Sequence, residues 1–152
     1  MLAIPSIGTR GVYALRFRCL EPHDCKELGH GKYRGLSGAE TRIFNVRAVH
    51  EAGDSIAIAE GELDAVVLNQ CGIPAVAVTG ARNWKAHYPR VFAGFSTVYV
   101  CEDGDTAGRE FSRKVSGDVL TGVIINLGTG QDVTDIFLSE GESGIRERFG
   151  AQ

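Results

Sequence analysis

Three short apolar runs in this 152-residue sequence are each followed by carboxylates. SIAIA (55–59) runs into Glu60, Gly61 and Glu62, and TVYVC (97–101) into Glu102, Asp103, Gly104 and Asp105. GVIINL (122–127) leads through Gly128, Thr129, Gly130 and Gln131 to Asp132. Crowded carboxylates repel one another, and a divalent cation such as Mg²⁺ or Mn²⁺ relieves the repulsion because it favours hard oxygen ligands. The carboxylates beyond these runs, Glu60, Glu62, Glu102, Asp103, Asp105 and Asp132, are therefore the candidate metal ligands. Each motif also has an ordinary reading. A lone Asp-x-Asp serves in exposed turns, and an acidic residue at a helix start, such as Asp64, serves as a cap. What argues for a site is the same placement after three strands.

For those groups to meet, the runs must be parallel neighbours. SIAIA, a helix over 63–71 stopped by Gly72, and PAVAV (74–78) form a βαβ unit. TVYVC is a third strand, and Ala107, Phe111 and Val115 at four-residue spacing give an amphipathic helix from near Thr106. GVIINL is a fourth strand, followed by a helix around 133–138 and another over 143–149. Alternating strands and helices predict an α/β fold, a mainly parallel sheet with helices on both faces, whose ligands bind beyond the carboxyl ends of the strands. Upstream, VYALRFRC (12–19) alternates apolar and basic residues as a half-buried strand. Residues 20–40 read as a long connection, and 43–51 as a short helix.

The whole chain carries a net charge of −3, yet residues 1–50 hold eight Lys/Arg against four Asp/Glu (+4), leaving −7 for residues 51–152. A small basic, β-rich subdomain over 1–50 followed by an acidic domain over 51–152 is the expected organisation. Such a pairing suits a nucleic-acid contact beside a cation site. Lys32, Arg34, Arg42 and Arg47 are candidates for phosphate contacts, as are Arg82 and Lys85 after the second strand, where Trp84 could stack a base or pack under a loop. Neither a membrane span nor a signal peptide is expected, so the protein is read as cytoplasmic. Cys19, Cys25, Cys71 and Cys101 lack CxxC pairing and read as reduced thiols. Cys19, His23, Cys25 and His30 follow C-x3-H-x-C-x4-H, which matches no standard zinc spacing, so zinc is not expected there.

IAEGELDA (58–65), followed by VYVCEDGDTAGRE (98–110), closely resembles the TOPRIM family of primases, topoisomerases, recombination-repair proteins and nucleases. In that family one strand ends in a glutamate followed by glycine and a later one in an Asp-x-Asp pair. The resemblance implies a TOPRIM fold, with the family glutamate on Glu60, the pair on Asp103 and Asp105, and further acidic positions of the primase version on Asp64 and Asp132. It selects Glu60, Asp103, Asp105 and Asp132 as one metal-sized cluster. GKYRGLSGAETRIFN (31–45) is similar to the segment preceding TOPRIM in bacterial and phage primases, through Lys32, Tyr33 and Phe44.

The function implied is that of a primase catalytic core. Primer synthesis would be DNA-templated, with Glu60, Asp64, Asp103 and Asp105 catalytic, NTPs as substrates and single-stranded DNA as template, in a bacterial host or phage-infected cell. Nothing in the sequence resembles the zinc ribbon of such primases, and no P-loop is present, so a separate zinc-ribbon protein and a replicative helicase are expected partners. Two other readings stay open: a TOPRIM nuclease using water as nucleophile, and a non-catalytic nucleic-acid-binding adaptor.

Overall fold

The structure is a computed structural model that describes residues 1–150. The chain forms two units, Met1–Thr41 and Arg42–Gln152. This division falls earlier than residue 50 because Ile43 and Ala48 are buried in the core of the second unit, and Phe44 exchanges backbone hydrogen bonds with Ala77.

The first unit is an antiparallel sheet of β1 (Leu2–Gly8), β2 (Gly11–Arg18) and β3 (Tyr33–Gly35), in that order. β2 is the alternating strand read from the sequence. β1 and β3 were not anticipated. β1 carries Pro5 at a sheet edge, and β3 is a three-residue segment inside a stretch rich in glycine and charge. Arg16 and Arg18 lie over the Tyr33 ring, at 4.9 and 5.5 Å from its centroid. Ile4 is the one buried hydrophobic residue of the unit among those described.

The second unit opens with a single helical turn, α1 (Ala48–Glu51), shorter than the helix expected over 43–51. Asn45 has a positive φ of 54°, which turns the backbone between the bridge at Phe44 and that helix. There follow β4 (Ser55–Ala59), α2 (Glu62–Gln70), β5 (Ala75–Ala77), β6 (Thr97–Glu102), α3 (Thr106–Asp118), β7 (Gly122–Asn126) and α4 (Val133–Arg148). The sheet order is β5-β4-β6-β7, and every pairing is parallel. α4 contains Gly141 at φ 72°, a break that separates the two helices expected from the sequence.

The unbroken apolar character of β4 reflects cover on both faces. Ile56 and Ile58 point to one side, packing with Val98, Val100, Phe111 and Val115. Ala57 and Ala59 point to the other, with Ala65, Leu68, Ile136 and Ile145. Small side chains on that second face let α2 lie close to β4 and β5, and α4 packs against α2. Asn69 stitches α2 to β5, donating to Ala75 O at 2.8 Å and accepting from Ala75 N. No helix among the described residues is long and apolar enough to cross a membrane.

Ile58 is fully buried and Leu120 fully exposed. Ile58→Ala should therefore lower stability by about 2–5 kcal/mol, and Leu120→Ala by less than about 0.5 kcal/mol. Urea denaturation measures both, and equal losses would contradict this account of the core.

Candidate functional site

β4, β6 and β7 are adjacent and parallel, so their carboxyl ends share one edge of the sheet. Glu60 is the first residue beyond β4, and Asp103 the first beyond β6. Asp105 is the N-cap of α3 and Asp132 the N-cap of α4. Three helices thus begin where the strands end, aiming unpaired N–H groups and positive dipole ends at the edge that carries the carboxylates.

Each junction is held by specific bonds. Asp105 Oδ1 accepts from Gly108 N at 2.7 Å. Asp132 Oδ1 accepts from Asp135 N at 2.7 Å, while Asp132 N–H donates back to Asp135 Oδ2, forming a capping box. Asp64 is buried and does not cap its own helix, whose N-cap is Gly61. Its Oδ1 instead accepts from Thr134 N at 3.1 Å and Thr134 Oγ1 at 2.7 Å, tying α2 to the start of α4. Glu102 accepts from Ser112 Oγ and from Asn126 Nδ2, bracing β6 against α3 and β7. Neither Thr134 nor Gln131 stands out in the sequence, because each acts through a partner distant along the chain.

Glycine is required where these junctions touch. Gly104 N donates to Gln131 O at 2.9 Å, and Gly130 N to Gly104 O at 3.0 Å. A Cβ at Gly104 would overlap Gly128 O and Gly130 N, and one at Gly108 would overlap the Asp103 backbone. Backbone contacts therefore fix where Asp103 can sit.

The consequence is electrostatic. The Asp103 carboxyl is pushed up from 3.8 to about 8, first by burial and then by Asp64, Glu60, Asp132 and Asp105. Glu60 is also raised, by burial and then by Asp105, Asp64 and Glu110. Asp103 Oδ1 is buried without a hydrogen-bond partner. An orphaned carboxylate oxygen in a negative field fits a divalent cation, and the oxygen-only donor set fits Mg²⁺ or Mn²⁺. Asp105 and Asp132 each use one oxygen as a helix cap, and the charge of both acts on Asp103.

The basic candidates fall in both units. Lys32 and Arg34 are exposed in the first unit, and exposed Arg47 is ion-paired with Glu51 one turn on. Arg82 is exposed in a short 3₁₀ turn (Ala81–Asn83) beyond β5. Lys85 follows it and is half-buried. That turn lies beside the acidic edge, since a Cβ at Gly80 would stand 3.8 Å from Glu60 Oε1. Trp84 offers no base platform: it is buried, packs on Tyr88 and Phe92, and donates from Nε1 to Asp118 at 3.0 Å. Cys19, His23, Cys25 and His30, not expected to form a ligand set, have ligand atoms all within 4.8 Å of one another.

Residues 55–143 match the Toprim domain model. The chain belongs to the Toprim family. It is 36% identical over 138 residues to the gene 57 protein of Mycobacterium phage D29, covering 91% of this chain and 87% of that one. Over 126 residues it is 35% identical to the DNA primase of Pseudomonas aeruginosa, covering 76% of this chain and 18% of the primase. A structure of the DnaG primase catalytic domain bound to ssDNA superposes with a TM-score of 0.70 at 22% identity, covering 97% of this chain and 50% of that one. This Toprim chain is thus related to DNA primases, but it spans only a fraction of the bacterial enzyme and about half of the catalytic domain.

The raised Asp103 pKa gives a signed prediction. Below about pH 4 the carboxyl is protonated in folded and unfolded chains alike. Between 3.8 and about 8 the unfolded chain releases the proton while the folded one retains it, so stability falls as pH rises through that window and levels off above it. Without divalent cations, melting temperature should decline from pH 5 to pH 8. Asp103→Asn should flatten that decline, and Mg²⁺ should reverse it in the wild type. Matching pH profiles for wild type and variant would contradict the assigned burial and coupling.

Proposed function

We propose that this Toprim chain is a primase catalytic core that joins ribonucleotides on a single-stranded DNA template. The observation that supports it most is the buried, unpartnered Asp103 oxygen among carboxylates supplied by three strand-to-helix junctions. Relationship to DNA primases favours nucleotidyl transfer among the chemistries such an edge could perform. Glu60, Asp103, Asp105 and Asp132 would hold Mg²⁺ or Mn²⁺. Bound there, the cation would neutralise triphosphate charge and favour ionisation of the attacking hydroxyl.

The chain's own groups have distinct tasks. Glu60, just beyond the end of β4, is placed to hold the cation or to accept the proton of the primer 3′-hydroxyl as that oxygen bonds to the α-phosphorus and pyrophosphate departs. Asp103 and Asp105 would hold the cation beside the reacting phosphate, and Asp64 keeps α4, and with it Asp132, in register through Thr134. Lys32, Arg34, Arg47, Arg82 and Lys85 hold phosphates of NTP or template. A separate zinc-ribbon protein would select the template start and a replicative helicase would deliver the strand, in the cytoplasm of a bacterial host or phage-infected cell.

The direct test is incorporation of labelled NTPs on single-stranded DNA with Mg²⁺ and with Mn²⁺, alone and with a zinc-ribbon partner. Incorporation should depend on the metal and fall by more than about 100-fold in Asp103→Asn or Asp105→Asn, the scale of losing a principal transition-state contact. Metal-dependent cleavage of DNA or RNA without NTPs would favour a nuclease, and metal-independent binding without turnover an adaptor. Lys32→Ala should weaken NTP use more than template binding and make binding less salt-dependent, because fewer counterions are released. Arg109→Ala, on α3, serves as the control. Unchanged salt slopes and incorporation in Lys32→Ala would leave the first unit's charge without a role in binding.

A further inference from the structure

The loop between β2 and β3 brings two thiols and two imidazoles together in a way the acidic edge does not use. Cys19 Sγ lies 3.6 Å from His23 Nε2, and His23 Nε2 lies 3.1 Å from His30 Nε2. With Cys25, the four ligand atoms all fall within 4.8 Å of one another. A tetrahedral Zn²⁺ with Zn–S of about 2.3 Å and Zn–N of about 2.0–2.1 Å sets S···N near about 3.6 Å and N···N near about 3.3 Å. The Cys19–His23 and His23–His30 separations are close to those of ligands around one ion, and the other pairs lie within 4.8 Å. His30 directs its other ring nitrogen, Nδ1, to Gly31 O at 3.2 Å, the outer hydrogen bond that leaves Nε2 free for a metal.

The backbone explains why the spacing is unfamiliar. Cys19 N donates to Lys32 O at 2.9 Å, so the first ligand stands at the base of the loop, directly across from the strand that leaves it. His30 N donates to Cys25 O at 2.9 Å and Gly29 N to Lys26 O at 3.0 Å, with Gly29 at φ 70°, folding the fourth ligand back onto the third. A turn that returns over five residues replaces the usual two-residue knuckle.

We propose that Cys19, His23, Cys25 and His30 form a structural Zn²⁺ site that closes residues 19–30 into an ordered loop. The site is needed because the first unit has only Ile4 buried among its described hydrophobics, while Leu20, Leu28 and Leu36 are exposed. Below about 40 residues a hydrophobic core rarely suffices without a metal or disulfide. Two thiolates and two imidazoles make a neutral, closed, tetrahedral set with no position left for substrate, which suits zinc in a structural role. The proposal stands apart from the primase reading, since it concerns neither the acidic edge nor turnover.

The test is Co²⁺ titration of the reduced full chain, followed by displacement with Zn²⁺. Wild type should bind one equivalent with a sulfur-to-cobalt charge-transfer band and the visible bands of tetrahedral Co²⁺, all lost on adding Zn²⁺. Cys25→Ser should diminish the charge-transfer band and weaken Co²⁺ binding by more than about tenfold, a loss that even outer-shell changes can cause. Asp103→Asn, which alters the acidic edge, should keep the full spectrum. Zn²⁺ should also slow proteolysis within residues 19–30 of the wild type. Absence of the charge-transfer band in the wild type, an unaltered spectrum in Cys25→Ser, or isolation of the chain with a Cys19–Cys25 disulfide and no bound metal would overturn the proposal.

Discussion

Negative charge that cannot spread apart is the constraint on which the second unit depends. Parallel pairing of β4, β6 and β7 sends three chain segments out at one edge, and each begins with or soon reaches a carboxylate. Side chains on a mobile surface would relax their repulsion by turning into water. Here the Gly104 loop is bonded to the loop carrying Gly130 and Gln131, Asp64 is clasped by Thr134, and Gly108 packs against the Asp103 backbone. The repulsion is therefore retained in the folded state and adds to burial, the larger cause, in raising the pKa of Asp103 and Glu60. Helix N-termini offset part of it through N–H groups and dipoles. A cation would offset the remainder, so the arrangement that costs stability is the one on which the proposed divalent-ion site rests.

The two faces of the sheet serve that edge unequally. Isoleucines and valines fill the side shared with α3, where Phe111 and Val115 anchor the helix that Asp105 caps. Alanines on the opposite side admit α2, whose Asp64 reaches Thr134 on α4, seventy residues further along the chain. Core composition therefore sets the spacing of the acidic groups, because the depth of each helix on the sheet decides where its first turn lies.

Much of this was legible in the sequence because it is locally encoded. The apolar runs, their glycine stops and the carboxylates beyond them gave β4 to β7, α2 to α4 and the placement of Glu60, Asp103, Asp105 and Asp132. The rest depends on pairing at a distance. Phe44 and Asn45 read as helix but join β5 through Ala77 and Ala75, a choice local propensity does not reveal. β3 is three residues long and exists because β2 supplies partners. Trp84 looks like a base platform until Asp118, thirty-four residues away, takes its N–H. The proximity of Cys19, His23, Cys25 and His30 does not follow from their spacing because a turn of unusual length brings them together, and spacing rules describe only the usual turns.

The central claim is that Asp103 sits in a crowded anionic edge completed by a divalent cation. It can be tested by following the side-chain carboxyl carbon of Asp103 by NMR as pH is varied, with and without Mg²⁺. The account predicts a midpoint close to 8 in the absence of divalent ions, a lower midpoint in Asp132→Asn, and ionisation well below neutrality once Mg²⁺ is added. An ordinary carboxylate midpoint that ignores both Mg²⁺ and the loss of Asp132 would contradict it.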